Sequence, residues 1–139
     1  MRLLFDTNVV LDVLLDTRRF AEAGARSWAA VETGVAEGLL AAHAVTTIHY
    51  LVRKELGNSQ AARIISSLLG VFGVAAVNQE VLEEALRSPS PDFEDAVTAA
   101  AARCAGCDCI VTRDPKGFRG STVRALTPEA VMPILSAGR

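Results

Sequence analysis

Five short apolar runs recur along the chain, at 2–5, 39–42, 71–77, 109–112 and 122–126, and residues at helical spacing fill the stretches between them. Short runs of this kind suit buried strands, whereas recurrence every three or four residues marks one face of a helix. Strands that alternate with helices imply a mostly parallel sheet, since parallel neighbours need a crossover long enough to hold a helix. Right-handed crossovers then cover both faces of the sheet. Val9, Val10, Val13 and Leu14 predict the first helix, and a second, longer one is expected over 20–37, with Gly38 ending it. Further helices are expected at 45–56, closed by Gly57, at 58–69, and at 78–87 from Asn78. Asp92 is a good N-cap for a helix over 93–105, and Thr127-Pro128-Glu129 opens the last one with a capping Thr and a Pro at the first helical position. Ser88-Pro89-Ser90-Pro91 is an irregular loop, because its two prolines stop a regular helix.

At 139 residues, with half of them hydrophobic but only 5% aromatic, the chain suits one close-packed domain over 1–139. No apolar run approaches the roughly 18 residues that a membrane span needs, so the expected location is the cytoplasm. A formal charge of −2 gives no global field to attract a polyanion. Any nucleic-acid role then rests on local cations or bound metal. Cys104, Cys107 and Cys109 lack a second pair or a set of His partners, and read as small buried apolar residues rather than a zinc or redox site.

The chemistry concentrates at turns. Asp6-Thr7-Asn8 lies between the first strand and the first helix, and Arg113-Asp114-Pro115-Lys116-Gly117 follows the fourth strand. Turns at the carboxyl ends of parallel strands line the ligand crevice of an open α/β sheet. Taken alone, the first turn reads as a helix cap supplied by Asp6 or Thr7, and Asp114 before Pro115 reads as a turn former. If the first strand lies beside the fourth, however, Asp6 and Asp114 meet where the strand order reverses. Asp95, in the first turn of the helix leading into the fourth strand, then faces the same crevice. Carboxylates forced together raise one another's pKa unless a cation neutralises them. An all-oxygen set without convergent His or Cys suits Mg²⁺ or Mn²⁺ better than Zn²⁺. Such an ion lowers the pKa of a bound water and offsets charge on a phosphodiester, which is the chemistry of metal-assisted hydrolysis.

The chain resembles the PIN-domain family, particularly the VapC-like toxin ribonucleases of bacterial toxin–antitoxin pairs. The resemblance is carried by Phe5-Asp6-Thr7-Asn8-Val9, by Asp92-Phe93-Glu94-Asp95-Ala96, and by Ile110-Val111-Thr112-Arg113-Asp114 followed by Phe118. It implies a three-layer α/β/α sandwich with a parallel five-stranded sheet. It also implies Asp6, Asp95 and Asp114 as metal-binding acids supported by Asn8 and Thr112, and divalent-metal-dependent cleavage of RNA with Mg²⁺ or Mn²⁺. A cognate antitoxin in an apolar groove of the early helices and a homodimer are the family habit. The family usually places another acid early in the helix after the second strand. Here that region reads Ala44-Val45-Thr46-Thr47-Ile48-His49-Tyr50, with no carboxylate before Glu55. Thr47 is the expected occupant of the acidic position, with Thr46 next, and neither can supply charge.

Arg113 and Lys116 stand out among the cations as candidate RNA contacts, and Asp12 is expected to be an exposed helix residue. His49, alone on its helix, reads as structural. The alternative to a ribonuclease is a catalytically weakened module of the same fold that binds RNA or a protein partner. A dehalogenase-like phosphatase would want a second Asp where Asn8 stands, and a receiver domain would want a lysine at the end of a late strand.

Overall fold

The computed structural model describes residues 1–138. Its elements run β1 (Arg2–Phe5), α1 (Thr7–Leu14), α2 (Ala21–Glu32), β2 (Glu37–Ala41), α3 (Ala42–Leu56), α4 (Asn58–Val71), β3 (Gly73–Ala75), α5 (Gln79–Leu86), α6 (Phe93–Cys104), β4 (Cys109–Val111), β5 (Arg124–Leu126) and α7 (Pro128–Ala137). A 3₁₀ turn covers Pro115–Phe118. All strand pairs are parallel, and the five strands form one sheet in the order β3-β2-β1-β4-β5. The order reverses at β1, which pairs β2 on one side and β4 on the other, with Leu3 opposite Cys109, Leu4 opposite Ile110 and Phe5 opposite Val111.

Alternation along the strands divides the core into two layers, since successive side chains of a strand point to opposite faces. Leu3, Phe5, Leu40 and Val111 pack with Val9, Ile48, Val52, Leu68 and Val131, so α1, α2, α3, α4 and α7 cover one face. Leu4, Leu39, Ala41 and Ile110 pack with Val81, Ala85, Val97 and Ala101, so α5 and α6 cover the other. The fold is therefore the expected α/β/α sandwich. Among the described residues no helix is long and apolar enough to cross a membrane.

Several boundaries differ from the sequence expectation. The second helix stops at Glu32 rather than 37, because Gly34 takes a positive φ of 80° that ends the helical path, and Glu37 enters β2 instead. The helix after β2 starts at Ala42, earlier than 45, with no side-chain cap. The third strand spans only Gly73–Ala75, since α4 continues to Val71. The fourth spans only Cys109–Val111, and the last begins at Arg124 rather than 122. The expected caps at Asn78, Asp92 and Thr127 each accept a backbone N–H, from Val81, Asp95 and Ala130. Cys107 and Cys109 are buried as expected. Cys104 is exposed, because it lies in the last turn of α6 beside the exposed Arg103.

Phe72 sits edge-on between Phe5 and Trp28, at centroid distances of 5.2 and 5.1 Å. Gly38 faces this wedge, where a Cβ would lie 2.8 Å from Phe72 Cδ1 and 2.8 Å from Val31 Cγ2. Overpacking of this kind strains a core. Gly38→Ala should lose about 1–3 kcal/mol of stability, read as a lower urea midpoint at unchanged slope. A wild-type midpoint would show that the Phe72 ring yields freely.

Candidate active site

The parallel pairings of β1 with β4 and of β4 with β5 each continue one residue further. Asp6 N–H donates to Val111 O at 2.9 Å, and Thr112 N–H donates to Leu126 O at 2.9 Å. The two residues leaving the sheet are therefore held side by side. Asp6 Oδ1 accepts from Thr7 N–H at 2.9 Å and caps α1, while its Oδ2 accepts from the Thr112 hydroxyl at 2.9 Å. Cap and crevice carboxylate are the same residue. The fully buried Thr112 also accepts from Asp114 N–H at 3.2 Å and from Asn8 Nδ2 at 3.5 Å. Asn8 Oδ1 in turn accepts from Arg113 N–H at 3.2 Å. Asp6, Asn8, Thr112 and Asp114 thus share one hydrogen-bonded network, centred on the threonine hydroxyl.

Asp95 reaches the same place from α6. Asp92 caps that helix by accepting Asp95 N–H at 3.1 Å, which leaves the Asp95 carboxylate free of the cap. It lies over Gly117, where a Cβ would meet Asp95 Oδ2 at 2.8 Å and come within 4.0 Å of Asp114 Oδ2. A glycine therefore keeps open the space between these two acids. Burial first, and then the charges of Asp92, Asp6, Glu94 and Asp114, push the Asp95 carboxyl up to about 6. Burial also raises Asp6, helped by Glu94 and opposed by the hydrogen bonds from Thr112 and Thr7 and by His43. Like charge gathered in a half-dry crevice is the condition that a cation relieves.

The donor set fits a hard divalent cation in kind, as carboxylate oxygens of Asp95 and Asp114 flank a space that a Cβ at Gly117 would fill, and Asp6 joins them through the Thr112 network. In arrangement, no three His, Cys, Asp or Glu side chains among the described residues converge closely enough to chelate one as they stand.

Thr47 does not stand with these acids through any hydrogen bond of its hydroxyl. That hydroxyl donates to His43 O at 3.4 Å, a back-bond within α3, and the Thr46 hydroxyl donates to the same carbonyl at 2.8 Å. The sequence reading missed His43, in the first turn of α3. Its Nε2 lies 3.4 Å from Thr98 Oγ1, whose own proton goes to Glu94 O at 3.0 Å. This arrangement assigns the proton on Nε2, leaving Nδ1 buried without a partner. Burial holds the imidazole below its ordinary value against the pull of Glu94 and Asp6. A polar ring immediately after the second strand was the available signal for this residue, and Asp95's flanking position was the signal for Glu94.

Arg113 is already engaged. Its Nε lies 3.3 Å from Asp12 Oδ2, and its guanidinium stacks 4.3 Å from the centroid of Phe20. Asp12, expected to be exposed, is only 4% exposed because α1 turns it inward to meet this arginine. The pair ties α1 to the turn that carries Asp114. Lys116 is exposed on the 3₁₀ turn and carries no salt bridge among the described residues.

Fold and site together define a doubly covered parallel α/β protein with an acidic crevice at its strand-order reversal. The PIN domain profile matches residues 2–116, and the chain belongs to that family. The structure is similar to VapC20 from Mycobacterium tuberculosis, a sarcin–ricin-loop-cleaving toxin, with a TM-score of 0.66 and 18% identity over 83% of this chain and 92% of that one. It is also similar to a chain of a toxin–antitoxin complex from Klebsiella pneumoniae, with a TM-score of 0.66 and 23% identity over 90% and 96%. VapBC2 from Rickettsia felis, solved with a DNA fragment from its promoter, matches with a TM-score of 0.69 and 11% identity over 91% and 98%. No curated protein matches the sequence.

Two expectations follow from the site. Asp95 binds its proton more tightly in the folded protein than an ordinary aspartate does. Its contribution to stability is therefore greatest at low pH and is lost as pH rises from about 4 to about 6. Asp95→Asn should flatten that decline and stabilise the metal-free protein at pH 7 by on the order of 1 kcal/mol, with solvent screening at this half-buried carboxylate taken into account. Urea titrations between pH 4 and 7 read this; parallel profiles of the two proteins would contradict it. Arg113→Ala strands the buried Asp12 carboxylate and should cost about 1–3 kcal/mol, part of which returns on adding Asp12→Asn. An unchanged urea midpoint for Arg113→Ala would show that the pair contributes nothing.

Proposed function

We propose that this protein is a divalent-metal-dependent endoribonuclease and the toxin of a toxin–antitoxin pair. The observation that carries this reading is the gathering of Asp6 and Asp114 on one Thr112-centred network with Asp95 facing them across Gly117, its carboxyl raised to about 6. Asp6, Asp95 and Asp114 are the residues that would hold Mg²⁺ or Mn²⁺. When bound, such an ion supplies the Lewis acidity that makes water nucleophilic near neutral pH and offsets the charge of a phosphodiester.

The rest of the work falls to the chain itself. Thr112 fixes the rotamer of Asp6 through its hydroxyl, and Asn8 is held between Thr112 and the Arg113 amide. These contacts pre-orient the carboxylate before substrate arrives, which is how a site keeps its geometry without reorganising. Neutral His43 keeps a buried, unpartnered acceptor at Nδ1, and its imidazole feels the charges of Glu94 and Asp6. Arg113 acts in this reading as a brace for the Asp114 turn more than as an RNA contact, since its guanidinium already faces Asp12 and Phe20. Lys116 remains the better RNA contact of the two.

The antitoxin assignment is supported by the similar structures that are toxin–antitoxin complexes. A cleft between α1, α2 and α4, lined by Leu14, Trp28, Ile64, Leu68 and Val71 with Glu32, Arg63 and Ser67, supports the same reading. An amphipathic helix or extended segment of an antitoxin suits such a cleft.

A second reading rests on the α3 region, where Thr46 and Thr47 both spend their hydroxyls on His43 O and supply no charge. On that reading the same fold binds RNA without efficient cleavage. End-labelled structured RNA, incubated with Mg²⁺, Mn²⁺ or EDTA, separates the two. Cleavage with metal that ceases in EDTA and falls at least about 100-fold in Asp6→Asn is expected for the ribonuclease. Intact RNA with every metal, from a folded protein that binds no Mn²⁺ in calorimetry, would instead establish the binding module and make Thr47→Glu the first substitution to try.

A further inference from the structure

A furrow leaves the acidic crevice along α6. Its near part is lined by Asp95, Ala99, Gly117 and Ser121, and its far part by Ala96, Ala99, Ala100 and Arg103, with Ser88, Ala99 and Ser121 common to both. Asp95, Ala99 and Arg103 are spaced four residues apart and so share one face of the helix. The alanines leave that face low between two walls, the loop around Ser88 to Ser90 and the loop from Arg119 to Thr122.

The walls are built in advance. Ser90 Oγ bonds both N–H and carbonyl of Asp92, at 3.3 and 3.1 Å, and Ser121 Oγ bonds both of Val123, at 3.1 and 2.8 Å. At the far end Glu84 grips Arg103 through Nε, at 2.9 Å to Oε1 and 2.8 Å to Oε2, so the plane of the guanidinium is fixed. Arg87 and Arg119, on the two walls, are exposed and carry no salt bridge among the described residues. The furrow therefore offers a small apolar floor at Ala99, with the buried Ala96 and Ala100 beneath it, a guanidinium plane held by Glu84 and two exposed arginines, and it narrows toward Asp95.

We propose that this furrow seats the nucleotide that flanks the cleaved phosphodiester, in an unpaired stretch of RNA. The inference rests on the ribonuclease reading of the acidic crevice and names where its substrate runs. The base lies over Ala99 and stacks toward Arg103, and its phosphate is held by Arg119 and Arg87. An unpaired strand is required because a base still stacked in a duplex cannot enter a furrow walled on both sides, and guanidinium planes are ordinary stacking partners for splayed bases. The two arginines answer the repulsion that Asp95 and Asp114 exert on a backbone phosphate. Their effect is local, in a chain whose formal charge is −2.

The test is fluorescence anisotropy of a short fluorescein-labelled single-stranded RNA in EDTA, where neither metal nor cleavage contributes. Ala99→Leu, which fills the furrow, should weaken binding about 10-fold or more, as expected for loss of base stacking. Arg119→Ala, at an exposed position that leaves packing untouched, should weaken it several-fold and lower the salt slope by about one. Ala99→Leu should bind Mn²⁺ in calorimetry as the wild type does. A duplex of the same sequence should bind more weakly than the single strand. Wild-type affinity in both variants, or equal affinity for duplex and single strand, overturns the proposal. If binding falls in both variants while the wild type cleaves no RNA with any metal, the furrow stands and the ribonuclease reading is what fails.

Discussion

The parallel register of β1 against β4 is the constraint on which the site depends. Because Phe5 lies opposite Val111, the next residue on each strand leaves the sheet at the same level, and Asp6 and Thr112 meet through a 2.9 Å hydrogen bond. A slip of one residue would turn Leu3, Phe5, Cys109 and Val111 away from the core face they share, so burial of these side chains enforces the register that positions the carboxylate. Core packing and site geometry are thus one requirement. The strand-order reversal at β1 then leaves no crossover above this pair, and α6 brings Asp95 to the gap from the side.

Within the gap, local interactions and like-charge repulsion act against each other. Thr112 and Thr7 favour ionised Asp6, whereas burial and Glu94 disfavour it, and the balance leaves its carboxyl above the ordinary range. Asp95 has no comparable hydrogen bonds and is pushed further. The crevice stores unfavourable electrostatic free energy in the metal-free protein, held in place by the surrounding sheet. Such arrangements concentrate where a fold keeps charge for chemistry rather than for stability.

The cations show the same division of labour. Arg113 is adjacent to Asp114 in sequence, which makes it an obvious phosphate contact on paper. The structure instead directs its guanidinium to Asp12 and Phe20, so it braces α1 against the turn after β4. Arg87, Arg103 and Arg119 come from separate segments and had no common reading along the chain, yet they line one furrow once α5, α6 and the 119–122 loop are packed together. Ala99 is unremarkable as a residue and informative only as the low point between two walls.

The sequence by itself determined what nearest neighbours decide. The alternation of apolar runs with helical spacing specified a parallel sheet between helices, and Asn78, Asp92 and Thr127 announced helix starts because capping is a bond between residues two or three apart. The order of acids at 6, 95 and 114 and the motifs around them likewise pointed to the family before any fold was visible. Boundaries were less legible where two element types share apolar residues, as at 33–38 and 71–77, because periodicity does not say where a helix yields to a strand. Only the tertiary structure decided the partners of Asp12, Arg113 and His43, and the path of the furrow. Those depend on which strand lies beside β1 and on loops that close over α6, and such long-range contacts leave no periodic trace in the residues that make them.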